Sequence, residues 1–392
     1  MTTKKRTFNS IAVLALILNS CNAEVTKNHN LERAEETLNA IYKYYSVENS
    51  HLLRETYPFD KNHKATYLAN DEQANQKKPY SYLWPYSGSL SAVNALYEAA
   101  SSKKYLEMFD NKVLPGLEQY YDTRRSPDAY ASYITTAPLS DRFYDDNVWI
   151  GIDFTDMYLQ TKNPFYLEKA KTIWKFIESG MDSVRGGIYW NEQKKSSKHT
   201  CSSAPATVYA VKLFEATNDE TFLTKAKTLY EWTKTNLQDP EDHLYYDNIN
   251  PNRIDKRKYS YNSGQMMQAA TLLYKHTHDA NYLTDAQNIA KSSYQHFFHE
   301  FETESGEKFR LLNRRDVWFT AIMFRGFIEL YAQDNNREYI DAFQKNLDYA
   351  WTHMREEYGL FDEDWSGEVK NDSKWLLTQF AMVEMYARMS EL

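Results

Sequence analysis

The sequence is poor in the residues that make turns and cross-links. Of its 392 residues, 11 are Gly, 10 are Pro and 2 are Cys. Gly and Pro together make up about 5% of the chain, against roughly 12% in average proteins. An all-β fold needs many more turn residues than this, and two cysteines allow at most one disulfide. The composition therefore favours an all-α fold held together by a large hydrophobic core.

The sequence also lacks an excess of basic residues. The count is 46 Lys and Arg against 54 Asp and Glu, a net charge of −8. Beyond the first six residues there is no basic run that could neutralise a nucleic-acid backbone, so no nucleic-acid partner is expected. The 10 His residues show no metal-ligand spacing, and no glycine-rich phosphate loop is present. We predict no metal and no cofactor.

Long apolar runs are also missing, and the clearest short one lies near the N-terminus. Ile11–Leu18 is too short to cross a bilayer and follows the basic residues at 4–6. This pattern predicts a secretory signal. The run ends at Leu18-Asn19-Ser20-Cys21, which resembles a bacterial lipobox. The resemblance implies that Cys21 is lipidated and anchors an outer-membrane lipoprotein, on the surface or the periplasmic face. Cleavage near Ala23 as an ordinary signal is the alternative.

A repeat runs through the rest of the chain. The segment Tyr166-Leu167-Glu168-Lys169-Ala170-Lys171 recurs, with changes, from Phe222 and Tyr282, and weaker copies begin at Tyr105 and Tyr339. The copies are 56 to 61 residues apart, and each follows an apolar-periodic segment and a short polar turn. The repeat predicts helical hairpins.

A helix over 31–56 and a final helix over 375–389 complete a sixth hairpin. Six hairpins indicate a closed (α/α)6 toroid, with an open helical solenoid as the alternative. The predicted organisation is a signal over 1–20, a linker over 21–30 and one catalytic domain over 31–392, expected to be a monomer. The loops between hairpins should meet at one rim, where we expect the functional site.

The most informative chemical signal is a pair of adjacent carboxylates. Asp145 and Asp146 stand just before an apolar-rich helical segment. Acids at a helix start can simply cap its free N–H groups, and this reading stays open. The catalytic reading starts from Cα atoms about 3.8 Å apart, which allows carboxyl groups at roughly 5 Å, the separation in a retaining glycosidase. One acid would then be the nucleophile and the other the acid/base.

Four ordered segments resemble glycoside hydrolase family 76. They are Tyr144-Asp145-Asp146-Asn147-Val148-Trp149-Ile150-Gly151, Gly186-Gly187-Ile188-Tyr189-Trp190-Asn191, Ser202-Ser203-Ala204-Pro205-Ala206 and Tyr259-Ser260-Tyr261-Asn262-Ser263-Gly264-Gln265. The resemblance covers roughly residues 35 to 390. It implies an (α/α)6 endo-α-1,6-mannanase acting on α-mannan, with Asp145 as nucleophile and Asp146 as acid/base. Ile150 and Ser203 depart from the usual pattern of the family, which puts branch or length preference in doubt more than the reaction.

Further residues are predicted to contact substrate. Aromatic rings can stack on sugar faces, and amides or hydroxyls can bind vicinal hydroxyl groups. Each of these residues could equally pack the rim or cap a helix. The predicted substrate-binding residues are Tyr144, Asn147, Trp149, Tyr189, Trp190, Ser203, Tyr261, Asn262 and Gln265. Asp153 and Asp156, further along the acid-bearing helix, are interpreted as structural.

Two other functions remain as alternatives. A non-catalytic glycan-binding lipoprotein on the same fold would keep the rings but would not need both acids. Another (α/α)6 enzyme, such as a sugar epimerase or an unsaturated uronyl hydrolase, would favour a His-rich or basic centre. The adjacent acids speak against both alternatives.

Overall fold

The computed structural model describes residues 29–65, 67–68, 78–314 and 316–392. The predicted signal over 1–20 and its Cys21 lie outside these residues. Within them, every helix is too short or too polar to cross a bilayer.

The repeat forms consecutive helical hairpins, as predicted. The first helix among the described residues, α1, covers 29–44. The hairpins then follow as α2 (Leu83–Ala100) with α3 (Lys103–Met108) and α4 (Leu114–Leu117), α5 (Tyr144–Thr161) with α6 (Pro164–Ser179), α7 (Thr200–Thr217) with α8 (Glu220–Leu237), α9 (Ser260–Thr277) with α10 (Ala280–Phe297), and α11 (Val317–Asp334) with α12 (Glu338–His353). A π-helical segment, Phe109–Val113, joins α3 to α4, and a 3-10 turn, Glu118–Tyr120, follows.

The last helix, α13 (Leu376–Met389), completes the ring. The inner helices α2, α5, α7, α9, α11 and α13 each contact the next, and α13 packs against α2. Outside this ring, α1 bridges the gap between α12 and α3 through Arg33 to Asp348 and Lys104 to Glu35. The fold is an (α/α)6 toroid, which confirms the prediction, and the open solenoid is wrong. The predicted first helix was too long, because α1 ends at residue 44 rather than 56.

One turn design joins most inner helices to their outer partners. The residue after the inner helix adopts a left-handed conformation, with φ between 56° and 58° at Lys162, Asn218, His278 and Asn335. The next residue is the N-cap of the outer helix. In this role Asn163, Asp219 and Asp279 accept hydrogen bonds from backbone N–H groups of α6, α8 and α10. These turns are short, so the longer connections all lie at the opposite rim.

Small antiparallel sheets stabilise the long connections. Residues 56–57 pair with 374–375, Tyr121–Asp122 with Ala129–Tyr130, and Phe298–Glu302 with Lys308–Leu312. The largest sheet is three-stranded, with Lys198–His199 beside Tyr246–Asn250, which pairs in turn with Arg253–Lys258. These short strands have no clear alternation in the sequence, and the rim was predicted only as loops.

Buried tyrosines account for much of the aromatic content. Tyr45, Tyr86, Tyr120 and Tyr386 are almost fully buried, and each hydroxyl donates to a backbone carbonyl. A ring with a polar edge therefore fills the core and satisfies a carbonyl oxygen at the same time. Most of the aromatic excess serves packing, and only part of it lines the rim.

Candidate active site

A cavity of about 380 Å³ opens at the rim where the inner helices begin. The second residue of five inner helices lines it: Trp84, Asp145, Cys201, Tyr261 and Trp318. The equivalent position of α13 is Leu377. A cyclic repeat brings equivalent positions to one level of the ring, so five hairpins contribute a side chain to one site. Asp146, the third residue of α5, also lines the cavity.

The connection between α6 and α7 places Trp190 beside Asp145. Its backbone is tied to the start of α5 because Tyr144 N–H donates to Trp190 O at 2.9 Å. Gly186 and Gly187 have φ of 69° and 73°, and a Cβ at either position would overlap the Trp232 ring. Only glycine fits this turn, which carries the chain back toward the cavity. The Trp190 ring then stacks on His199, with centroids 4.9 Å apart and an interplanar angle of 15°.

Asp145 receives two hydrogen bonds from side chains. Trp190 Nε1 donates to Oδ2 at 2.8 Å, and the Cys201 thiol donates to the same oxygen at 3.3 Å. The other oxygen, Oδ1, is buried and accepts no hydrogen bond within the described part of the chain. Asp146 receives no side-chain hydrogen bond from the residues that the structure describes. The two neighbouring acids therefore sit in different environments.

These environments shift the two carboxyl groups unequally. Burial raises the pKa of Asp145, and the donors Trp190 and Cys201 oppose that rise. Burial raises the pKa of Asp146 well above its usual range, and the charge on Asp145 raises it further. Asp145 thus ionises before Asp146, and Asp146 keeps its proton as long as its neighbour is charged.

A third carboxylate lines the same cavity. Asp247 is 7% exposed and accepts a hydrogen bond from Asn248 Nδ2 at 2.9 Å, with Arg257 3.6 Å away. Burial raises its pKa. All three residues line the cavity, and they lie on the hairpin between α8 and α9.

Aromatic rings form the remaining walls. Trp149 and Trp84 both meet Trp318 edge-on, at centroid distances of 5.1 and 5.4 Å. Tyr261 stacks on Phe319 at 4.0 Å. Tyr67, Tyr82, Phe143 and Tyr259 also contribute to the lining. Such walls suit the apolar faces of a neutral sugar.

A wider groove adjoins the cavity. Trp190, His199 and Asn248 line both spaces, and the groove has a volume of about 880 Å³. Its lining comes from the segments 182–198 and 248–252, together with Trp232 and Asn236.

The structure brings some of the predicted site residues together at this cavity. Asp145, Asp146, Trp149, Trp190 and Tyr261 line it. Tyr144 does not: its ring is fully buried and stacks on Phe176 at 4.6 Å. Asn147 is also fully buried, and its amide binds the backbone of Tyr130. Both side chains pack the start of α5 and lie outside the cavity lining, and their contact with substrate stays a prediction.

The other predicted residues also have contacts of their own. Tyr189 faces the side groove and donates to Asp182 at 2.9 Å. Ser203 is buried and accepts from the N–H of Ile188 at 3.1 Å, which fixes the loop. Gln265 is 1% exposed and donates to Gln268. Asn262 is fully buried beside Asp247. None of these four side chains lines the cavity. The motifs in which they occur do not reveal which side chains face the opening of the rim.

Several residues of the cavity are absent from the predicted site residues. They are Tyr67, Leu68, Tyr82, Trp84, Ser132, Phe143, His199, Cys201, Asp247, Asn248, Arg257, Tyr259, Trp318 and Phe319. The repeat contained a signal for three of them. Trp84, Cys201 and Trp318 occupy the same position in their hairpins as Asp145, so aligning the inner helices would have pointed to them.

Two acids in an aromatic-lined cavity at the rim of an (α/α)6 toroid are the arrangement of a glycoside hydrolase. The family model for glycosyl hydrolase family 76 matches residues 31–391, and the chain belongs to that family.

Solved structures of this family resemble the chain along most of its length. A family 76 mannosidase from Bacteroides thetaiotaomicron VPI-5482 is 35% identical, with a TM-score of 0.83 over 92% of this chain and 98% of that one. An α-1,6-mannanase from Salegentibacter sp. HEL1_6 is 25% identical, with a TM-score of 0.72 over 92% of this chain and 99% of that one. That structure is an inactive variant, with two consecutive aspartates replaced by asparagine, in complex with α-1,6-mannotriose.

Curated relatives match over shorter stretches. A mannan endo-1,6-α-mannosidase from Eremothecium gossypii is 26% identical over 130 residues, which is 30% of this chain and 29% of the relative. The chain spans about half the length, or less, of the curated relatives it matches.

Proposed function

We propose that this protein hydrolyses α-1,6-mannosidic bonds within mannan backbones. The observation that carries the proposal is the unequal environment of Asp145 and Asp146 in one aromatic-lined cavity. Family membership and the mannotriose bound by a related α-1,6-mannanase support mannan as the substrate class.

The environments of the two acids suggest their roles. Asp145 is held ionised by two donors, so it is the nucleophile that attacks the anomeric carbon and displaces the leaving oxygen. Asp146 keeps its proton and gives it to that oxygen as the bond breaks. The ionised Asp146 then takes a proton from water, which attacks the anomeric carbon and releases Asp145. Two displacements retain the α configuration.

Endo-action fits the shape of the cavity and groove. Cleavage within a polymer requires room for sugar units beyond the reacting bond. The groove that continues past Trp190 and His199 offers this room on one side. We infer that part of the mannan chain lies there while the reacting unit occupies the cavity.

The glycan-binding alternative is less favoured. A binding protein gains nothing from a carboxyl group kept protonated beside an ionised one, and burying such a pair costs stability. The contacts of Asp145 with Trp190 and Cys201 are better explained by catalysis.

Anchoring in the membrane is a separate proposal. We propose that Cys21 carries the lipid, which would hold the enzyme at the outer membrane of a bacterial cell envelope, where mannan reaches it. Residues of one chain line the cavity, so no second subunit is needed to complete the site. We therefore expect a monomer.

The decisive experiment combines product analysis with two variants. Wild-type protein should release oligosaccharides from linear α-1,6-mannan, and early products should carry an α-configured new reducing end by proton NMR. Asp145→Asn and Asp146→Asn should each lose more than about 99% of kcat on mannan, since a nucleophile or general acid contributes 10²-fold or more. Both variants should keep the wild-type circular dichroism spectrum and Tm within a few degrees.

An aryl mannoside with a good leaving group separates the two roles. Such a substrate needs little protonation, so Asp146→Asn should still release the aryl group in a burst, whereas Asp145→Asn should not. β-Configured products would overturn retention. Full activity of either variant on mannan would remove that residue from the mechanism.

A further inference from the structure

Cys201 is the second residue of α7, and its thiol contacts the acid proposed as the nucleophile. Sγ lies 3.3 Å from Oδ2 of Asp145, and the side chain is 3% exposed at the cavity wall. Cys201 and Asp145 occupy equivalent positions in neighbouring inner helices. The ring geometry of the toroid therefore brings the two side chains together.

In this contact the thiol is the donor and the carboxylate is the acceptor. Tyr261 lies next to the thiol. Burial and the charges of Asp145 and Asp247 raise the pKa of the thiol well above its usual range, so it stays protonated and remains a donor. A hydrogen bond to a carboxylate is stronger in a low-dielectric cavity than in water.

We propose that Cys201 is a positioning residue for Asp145. Its thiol donates the second hydrogen bond to the Asp145 carboxylate, which favours the ionised form and restricts rotation of the carboxylate. With Trp190 as the one side-chain donor, the carboxylate could still rotate about that hydrogen bond. A second donor to Oδ2 from α7 limits this rotation. This proposal rests on the proposed function, in which Asp145 is the nucleophile.

The expected effect of removing the thiol follows from the form of Asp145 that its hydrogen bond stabilises. A hydrogen bond to the ionised carboxylate favours that form, so its loss should raise the pKa of Asp145 and move the acidic limb of the kcat/KM profile to higher pH. The charged or titratable groups around this carboxylate include Asp146 on α5, His199 and Cys201 at the start of α7, Asp247 and Arg257 on the hairpin, and Tyr261 on α9. Apart from Cys201 itself, all of them are unchanged in the three variants compared below.

The test compares three variants of the full chain. Cys201→Ala should lower kcat/KM on mannan by about three- to tenfold, as expected for a weak donor to a charged acceptor. It should also shift the acidic limb upward. Cys201→Ser restores a donor and should keep the wild-type limb. Ser202→Ala is the matched control, since Ser202 is the next residue of α7, is fully buried, and its hydroxyl has no partner within the described residues. It should leave the profile unchanged.

Two outcomes would overturn the proposal. One is a wild-type acidic limb in Cys201→Ala. The other is an equal loss in Cys201→Ser and Cys201→Ala, which would mean that the cysteine only fills space.

A second readout does not depend on mannan cleavage. The ionisation of Asp145 can be followed by infrared spectroscopy of its carboxyl stretch in the Asp146→Asn background, with Asp145→Asn as the subtraction standard. Adding Cys201→Ala should raise the measured pKa. If this shift is present but no mannan is cleaved, the hydrogen bond stands and the proposed function fails. If the shift is absent, the positioning role fails even in an active enzyme.

Discussion

At the scale of single residues, partners decide which buried carboxyl groups carry a charge. Glu384 lies inside the ring of helices, and Arg325 donates to both its oxygens at 2.6 and 2.9 Å. Arg325 and Arg388 together lower its pKa to about 2 against the effect of burial. Among the described residues, Asp153 on α5 has Ser91 as its one side-chain donor, at 2.7 Å, and burial raises its pKa to about 7. The same rule separates Asp145 from Asp146 at the rim.

Asp153 should make the stability of the protein depend on pH. Its folded-state pKa is raised from 3.8 to about 7, so the stabilisation is complete below about pH 4 and is lost as the pH rises through 7. Asp153→Asn removes the titration. Relative to wild type, the variant should therefore be more stable at pH 8.5 than at pH 5.5. The difference between the two free energies of unfolding, variant minus wild type, should be about 2 kcal/mol higher at pH 8.5.

Urea unfolding at the two pH values measures this difference. Asp239→Asn is the control, because a carboxyl group with a pKa of about 2 is ionised at both pH values and Asp239 is not among the groups that shift the pKa of Asp153. That variant should be destabilised equally at pH 5.5 and 8.5. A pH-independent effect of Asp153→Asn would contradict the prediction.

At the scale of the elements, close backbone contact fixes how the inner helices pack. A Cβ at Gly264 in α9 would lie 2.4 Å from the Cα of Met323 in α11. A Cβ at Gly326 in α11 would lie 2.4 Å from the carbonyl oxygen of Gly264. The two helices touch backbone to backbone here. The sequence analysis took the segment containing Gly264 as a family motif around substrate-binding residues, whereas this glycine serves helix packing.

Gly264→Ala should therefore destabilise the fold. In an isolated helix the same change would stabilise by about 1 kcal/mol. Here α9 and α11 must separate to accept the methyl group, and we expect a loss of about 2 kcal/mol or more. Gly88→Ala in α2 is the matched control, because its Cβ would meet the movable Cδ1 of Leu377 at 2.8 Å and the Cβ of Phe380 at 3.0 Å, with no backbone atom as close as at Gly264. Thermal unfolding should rank Gly264→Ala clearly below Gly88→Ala, and equal Tm values would refute the packing argument.

At the scale of the whole molecule, closure of the ring creates the site. Each inner helix begins at the same rim, so positions about 57 residues apart in sequence meet around one cavity. The positive ends of several helix dipoles also point toward this rim, which favours the ionised form of Asp145. An open arrangement of the same hairpins would have neither feature.

The side groove should make activity depend on chain length. Ser196 is exposed and lines the groove, away from the catalytic acids. Ser196→Trp should reduce kcat/KM for polymeric mannan about fivefold, the equivalent of roughly 1 kcal/mol, because the ring obstructs the chain. Activity on an aryl mannoside should be unchanged. Ser305→Trp, in the turn between Phe298–Glu302 and Lys308–Leu312, is the control for an added surface ring. Equal loss on both substrates would mean that the groove holds no substrate.

Membrane attachment is the second prediction at this scale. Acyl chains contribute about 0.8 kcal/mol per buried CH₂ group, so several chains on Cys21 would make release slow. Cys21→Ala should move the protein from the membrane pellet to the soluble fraction after cell disruption. A native protein found in the soluble fraction, with an N-terminus beyond residue 21, would refute lipidation.

The repeat by itself predicted the hairpins and their number, because a helix that must bury one face leaves a periodic apolar pattern. The same repeat implied that the inter-hairpin connections share one rim, and the adjacency of Asp145 and Asp146 marked where the acids lie. Only the tertiary structure decided which neighbours face them. Trp190 comes from the connection between α6 and α7, and Cys201 comes from the next hairpin, 45 and 56 residues away from Asp145. Tyr144 and Asn147 flank the acids in sequence yet turn into the core, since successive residues of a helix point about 100° apart. Side-chain direction around a closed ring is a property of the packed helices, and no local pattern records it.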